Sequence, residues 1–142
     1  MATRRELILT TWASALTGMP QVSGRIWRDR VEPLQRHESP GIVIEWTTDT
    51  PSVSTSIPFL DWELQAQAVI IVRDAAPSVI ADPIVAEIHR RTMGAGLMSL
   101  PYVIDVMPGP HRCELLQADS PAGIVTMPFT IRYRTSEADL EA

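Results

Sequence analysis

Three features of the sequence predict an α+β fold, an antiparallel β-sheet of about four to five strands packed with two main helices. They are a capped amphipathic segment near the start, one long uninterrupted run of period two in the middle, and a second alternating run near the end.

Thr3 followed by Glu6 has the S/T-x-x-E spacing of a capping box, in which each side chain satisfies a free backbone N–H at a helix start. Leu9, Trp12, Ala13 and Leu16 then recur at i, i+3, i+4 and i+7, and Gly18 and Pro20 stand where a helix stops. A helix over 4–17 follows. Residues 25–31, RIWRDRV, alternate only loosely and precede Pro33, which predicts a short peripheral strand. Pro40-Gly41 introduces Ile42-Val-Ile-Glu-Trp46, a β-branched run of strand length. Residues 47–58, TTDTPSVSTSIP, are almost wholly Ser, Thr, Pro and Asp and read as an exposed loop or extended arm.

From residue 60 to 73 no breaker occurs. Trp62, Leu64, Ala66, Ala68, Ile70 and Val72 share one face, opposite Glu63, Gln65 and Gln67, which give way to Val69 and Ile71. This predicts a long strand, half-wetted at its start and buried on both sides at its end. Asp82-Pro83 supplies an N-cap and the first helical residue of a second helix over about 83–93, ended by Gly94, with Glu87 placed to pair with Arg91. Residues 103–118 are strand material interrupted by Pro108-Gly-Pro110, and Asp119–Gly123 is a turn. A hairpin of 111–118 with 124–134 closes the fold, and Pro128 within it points to an edge or a bulge, because its missing N–H breaks a central ladder. One domain spans 1–142, and the acidic residues of 135–142 are expected to fray.

Composition narrows the function. Charged residues make up 20% of the 142-residue chain and hydrophobic ones 45%, against a usual charged share of about 25%, so a partner is expected to cover part of the surface. Every one of the 12 basic side chains is Arg; Lys and Asn are both absent, as in a GC-rich genome, and Arg also suits protein interfaces. Residues 1–36 hold six Arg (4, 5, 25, 28, 30 and 36) against Glu6, Asp29 and Glu32, giving +3, which leaves −8 for the remainder of the net −5. Such a division favours head-to-tail pairing of copies. No run approaches the ~18 apolar residues of a membrane span, and the order of a signal peptide is missing, so the expectation is a soluble protein without a membrane partner in a reducing cytoplasm. A net-acidic chain is a poor match for sequence-specific nucleic acid.

The residues of catalysis and metal binding are not grouped. His37, His89 and His111 lie in three different predicted elements, and no G-x-S-x-G, HExxH or DxDxDG motif occurs. The lone cysteine, Cys113, reads as a small buried hydrophobe, and Glu45 and Glu63 read as solvated carboxylates. No catalytic residue, metal or cofactor is therefore assigned. The candidate interface residues are Arg25, Arg28 and Arg30 on the early strand, Arg132 and Arg134 on the last strand, and Trp27 and Trp46, aromatics beside charged residues.

The order of a capped helix, a short strand, a Pro-led strand, a polar loop, a long strand opening on Asp61-Trp62, a helix and a closing hairpin resembles the tail terminator proteins of lambda-like siphophages, the phage minor tail protein U family. The likeness spans nearly the whole chain, most closely at Ser39-Pro-Gly-Ile-Val-Ile44, Asp61-Trp-Glu-Leu-Gln-Ala66 and Phe129-Thr-Ile-Arg-Tyr133. It implies a non-enzymatic, ring-forming α+β subunit, a homohexamer at the head-proximal end of the virion tail, assembled in the host cytoplasm. Its partners would be its own copies, the tail tube protein and a head–tail connector or head-completion protein. A head-completion or connector subunit of a phage is the alternative reading; a small-ligand domain or enzyme would need a convergent polar pocket.

Overall fold

A computed structural model describes residues 1–52, 57–117 and 121–142, apart from the side chain of Ala95. Helix α1 (Arg4–Leu16) precedes strands β1 (Ile26–Arg28), β2 (Gly41–Pro51) and β3 (Phe59–Val72), helix α2 (Pro77–Arg91) and strands β4 (Val103–Pro108), β5 (Arg112–Gln117) and β6 (Pro121–Ser136). The fold is α+β, as expected. The sheet order is β1-β2-β3-β6-β4, with β5 also pairing β6, and every pairing is antiparallel except the short β1–β2 ladder.

Helix α1 starts where the sequence places it: Thr3 Oγ1 accepts the Glu6 N–H at 3.2 Å. The Glu6 carboxylate turns instead to the Arg28 guanidinium of β1, at 3.0 and 3.1 Å, which ties the helix start to the sheet edge. Ile8, Leu9, Trp12 and Leu16 are fully buried. Trp12 stands edge-on to Phe129 of β6, with centroids 5.4 Å apart and planes at 82°, and its indole N–H donates to Thr92 Oγ1 at 2.8 Å. A polar tip satisfied inside an apolar core fixes one orientation of the ring.

Helix α2 begins earlier than the sequence suggests. Its N-cap is Ala76, not Asp82, and Pro83 lies inside it. Pro77 takes the first helical position, its missing N–H costing nothing there, while Asp74 Oδ1 accepts the Ala76 N–H at 3.0 Å. The buried stripe of Pro77, Ala81, Ile84 and Ile88 explains the extra turns, and Pro83 falls on the exposed side, where water can reach the carbonyl it frees. The Glu87–Arg91 pair forms at 2.8 Å, and Arg91 Nη1 also donates to the Ala15 carbonyl near the end of α1 at 3.0 Å, which joins the helices. A glycine permits sheet and helix to touch: a Cβ on Gly123 would lie 2.6 Å from Pro77 Cβ.

Both helices cover one face of the sheet. Ile42 and Ile44 of β2, Leu64 to Val72 at alternate positions of β3, and Met127, Phe129, Ile131 and Tyr133 of β6 point into that core. The polar segment predicted as a loop over 47–58 is in part strand: residues 47–51 continue β2, pairing Thr48 with Gln65 and Pro51 with Trp62, and 53–56 lie outside the described residues. Its threonines suit a strand whose other side is wet. Pro128 is not at an edge. It lies in β6, between β3 and the break where β4 ends and β5 begins, so its missing N–H falls where no strand is paired, and its carbonyl accepts the Gly109 N–H at 2.8 Å. The predicted turn over 119–123 is half strand, since β6 starts at Pro121; residues 118–120 lie outside the described residues. Residues 135–142, expected to fray, carry backbone hydrogen bonds: Ser136 N–H to the Ala142 carbonyl at 2.6 Å, and Arg4 N–H to the Leu140 carbonyl at 2.9 Å.

Candidate protein-interaction site

The seven candidate residues fall in three places. Arg25, Trp27, Arg28 and Arg30 lie at the β1 edge of the sheet. Arg132 and Arg134 lie on β6, near the opposite edge, and Trp46 stands on β2 where β1 has ended. The structure does not gather the two arginine groups into one patch.

At the β1 edge the cations hold the chain together. Arg30 forks onto Glu38 with two bonds of 2.8 Å, donates to the Glu32 and Pro33 carbonyls at 3.2 Å each, and stacks on Trp27 with 4.5 Å between guanidinium carbon and ring centroid. Glu38 also accepts the Gln35 N–H at 2.8 Å. Its pKa is lowered from 4.5 to about 2, chiefly by the Arg30 hydrogen bonds and then by the Gln35 N–H. Arg25 donates to the Pro40 carbonyl at 2.9 Å. Trp27 and Leu34 close over Gly41, where a Cβ would meet them at 2.6 and 2.7 Å, so the loop 29–40 is packed onto the sheet face away from the helices.

On β6, Arg134 forks onto Asp61 at 2.7 and 3.2 Å and Arg132 reaches Asp105 at 3.0 Å, with both members of the latter pair 44% exposed. The Arg134 hydrogen bonds hold the Asp61 carboxyl below its ordinary value. Arg4, unremarked in the sequence, stacks on Tyr102 at 4.6 Å and donates to the Arg134 carbonyl at 2.7 Å. Arg4, Asp61, Tyr102, Arg132 and Arg134, with Phe59 and Ile104, line a groove of about 560 Å³. A guanidinium already engaged with a carboxylate is a weaker recruiter of acidic partners, because the pair must first be opened.

Trp46 is 38% exposed and lies under the Arg5 guanidinium at 4.2 Å. Behind it is a cluster the sequence did not reveal: Asp49 Oδ2 accepts from the Tyr133 hydroxyl and from Arg5 at 3.4 Å. Burial raises the Asp49 pKa against the lowering effect of Tyr133 and Arg5, and burial followed by the Asp49 hydrogen bond raises that of Tyr133. Nothing in the spacing of residues 5, 49 and 133 could have shown this, since only the β2–β3–β6 register brings them together.

Cys113 is a second correction. It is exposed, because all six residues of β5 are exposed and, among the described residues, the strand pairs with β6 alone. Glu45 and Glu63 are not neighbours; Glu45 accepts from Gln67 at 2.6 Å. Among the described residues, no group of three or more His, Cys, Asp or Glu could hold a metal ion. His37, His89 and His111 are all exposed and lie apart in the fold. No helix of the described residues is long and apolar enough to cross a membrane.

Several large apolar side chains are exposed on the strands and on α2. Met107 is 62% exposed, Leu115 70% and Val79 69%, with Trp46 and Ile104 at 38% each. No family model matches this chain, and no curated protein does.

A virion component shares its fold. The match is to a chain of a solved structure described as the virion of a native gene transfer agent particle, with TM-score 0.67 and 11% identity. It covers 89% of this chain and 94% of that one, so the two folds agree over nearly their whole lengths. At that identity the likeness establishes the architecture and not the residues of any interface.

Proposed function

We propose that this chain is a structural subunit of a phage-type virion, working as a tail terminator. In this reading a ring of copies seats on the head-proximal end of the tail tube, denies that end to further tube subunits, and presents its other side to a head–tail connector or head-completion protein. The observation that carries the reading is the end-to-end fold likeness to a chain of a gene transfer agent virion. The element order of the family resemblance and the ungrouped histidines agree with it. Termination then needs no chemistry, only a surface that binds the tube end better than another tube subunit does.

Edges and apolar projections supply that surface better than the paired arginines do. Trp46 and Trp27 remain interface candidates as aromatic anchors; among the paired arginines Arg134 has the more exposed side chain, and Arg132 sits in an ion pair exposed on both sides. Deleting the gene from the genome that encodes it and measuring tails by negative-stain electron microscopy tests the reading. Tails of irregular, excessive length, restored to normal by the gene in trans, are expected. Tails of normal length that lack heads would assign the chain to head joining instead, and normal virions would refute both.

A further inference from the structure

We propose that a second copy of this chain docks edge to edge on the first, the β4 edge of one copy pairing with the free half of β2 in the next to continue the sheet between subunits. The inference deepens the reading of a ring-forming subunit and rests on it for its biological setting.

Strand β1 pairs β2 only at Ile42, Val43 and Ile44, with flanking bonds from the Ile42 N–H to the Arg25 carbonyl and from the Asp29 N–H to the Ile44 carbonyl. Asp29 then turns the chain away with φ of 55°. From Trp46 to Pro51 no strand among the described residues pairs the outer side of β2. At the far side of the sheet, β4 pairs only β6 and likewise has no strand outside it.

These free stretches span the same rows. Trp46 is opposite Ala66, which is opposite Phe129, which is opposite Pro108; Pro51, Trp62, Tyr133 and Val103 form the row at the other end. Between them, Thr48, Gln65, Thr130 and Met107 share one row. Above these rows both sides are occupied, by β1 on one and β5 on the other. The polarity also fits. Successive antiparallel pairings leave β4 antiparallel to β2, so a copy set beside the first without inversion brings its β2 against β4 as an ordinary antiparallel neighbour.

An exposed edge with unpaired N–H and C=O groups recruits another strand unless charge, proline or brevity prevents it. Proline stands only at the last residue of each stretch, Pro51 and Pro108, and lysine is absent. The single charge of the β4 stretch, Asp105, is paired with Arg132, and Asp49 on β2 is turned inward to Tyr133. Trp46 on one edge and Met107 and Ile104 on the other are the exposed apolar groups such pairing would cover. Because the two edges differ, each copy uses both, and the contact propagates into a ring or filament instead of stopping at a dimer.

The test is a cysteine pair in the shared row, Thr48→Cys with Met107→Cys, in a Cys113→Ser background. Both positions are exposed, and far-UV circular dichroism verifies that each variant folds. Mild oxidation of the purified protein is expected to give a ladder of disulfide-linked species beyond the dimer on a non-reducing gel, with none from either single variant. A double variant that stays monomeric, or single variants that cross-link equally well, would overturn the proposal. Native mass spectrometry of the unmodified protein separates two failures: self-association without the ladder refutes this surface alone, and a monomer throughout refutes the self-associating ring as well.

Discussion

The Trp12–Thr92 contact is the sharpest energetic statement the core makes. Both residues are fully buried, and the indole N–H has Thr92 Oγ1 at 2.8 Å. Trp12→Phe leaves a hydroxyl without its donor, costing about 1–3 kcal/mol, and opens a small void worth about 1 kcal/mol more, for a total near 2–4 kcal/mol. Thr92→Val keeps the shape but strands the indole N–H, at about 1–3 kcal/mol. In the double variant neither polar group is left alone, so only the void and a small packing change remain, about 1–2 kcal/mol. The singles should therefore be non-additive by at least about 1 kcal/mol, as directly coupled residues are. Urea unfolding followed by far-UV circular dichroism at one fixed protein concentration measures all four. A double variant that loses the sum of the two singles would refute the buried bond.

Three further outcomes follow from the side-chain environments. Asp49 has a folded pKa raised by burial, so its ionised form opposes folding and stability should rise as pH falls from above that value toward the ordinary carboxylate range; Asp49→Asn should gain on the wild type most at about pH 7 and least at about pH 4 in paired urea titrations. Glu38 behaves in the opposite sense: its contribution is present above 4.5 and lost as pH falls toward about 2, so Glu38→Gln should flatten that part of the acid-unfolding curve. Cys113 should react with a maleimide in the folded protein as fast as in the unfolded one, and Cys113→Ser should change stability by no more than about 0.5 kcal/mol, as an exposed position does.

Much of this architecture is legible from local pattern. Thr3 at the start of α1 and the alternation over β3 and β6 are short-range signals, and each element forms where its period says. Errors arose where tertiary context outweighs a local rule. Asp82-Pro83 has the composition of a helix start, yet Pro77 and Ala81 extend the buried stripe one turn and more toward the sheet, and burial outweighs one lost backbone bond on the wet side. Residues 47–51 lack apolar side chains because their strand is wet, not because they are loop. A lone strand cysteine such as Cys113 has the sequence signature of a buried hydrophobe, yet all six residues of β5 are exposed. The candidate arginines are legible as residues but their partners are not: Glu6, Glu38, Asp61 and Asp105 reach them from elsewhere in the fold, and sequence spacing carries no trace of that.

A cryo-electron microscopy reconstruction of the head–tail junction, made from particles produced by the genome that encodes this protein, tests whether it has the proposed place in the virion. A single ring of this fold is expected at the head-proximal end of the tail tube, with the β4 edge of each copy against β2 of the next. Absence of the chain from the particle, or its location anywhere but that junction, would contradict that placement.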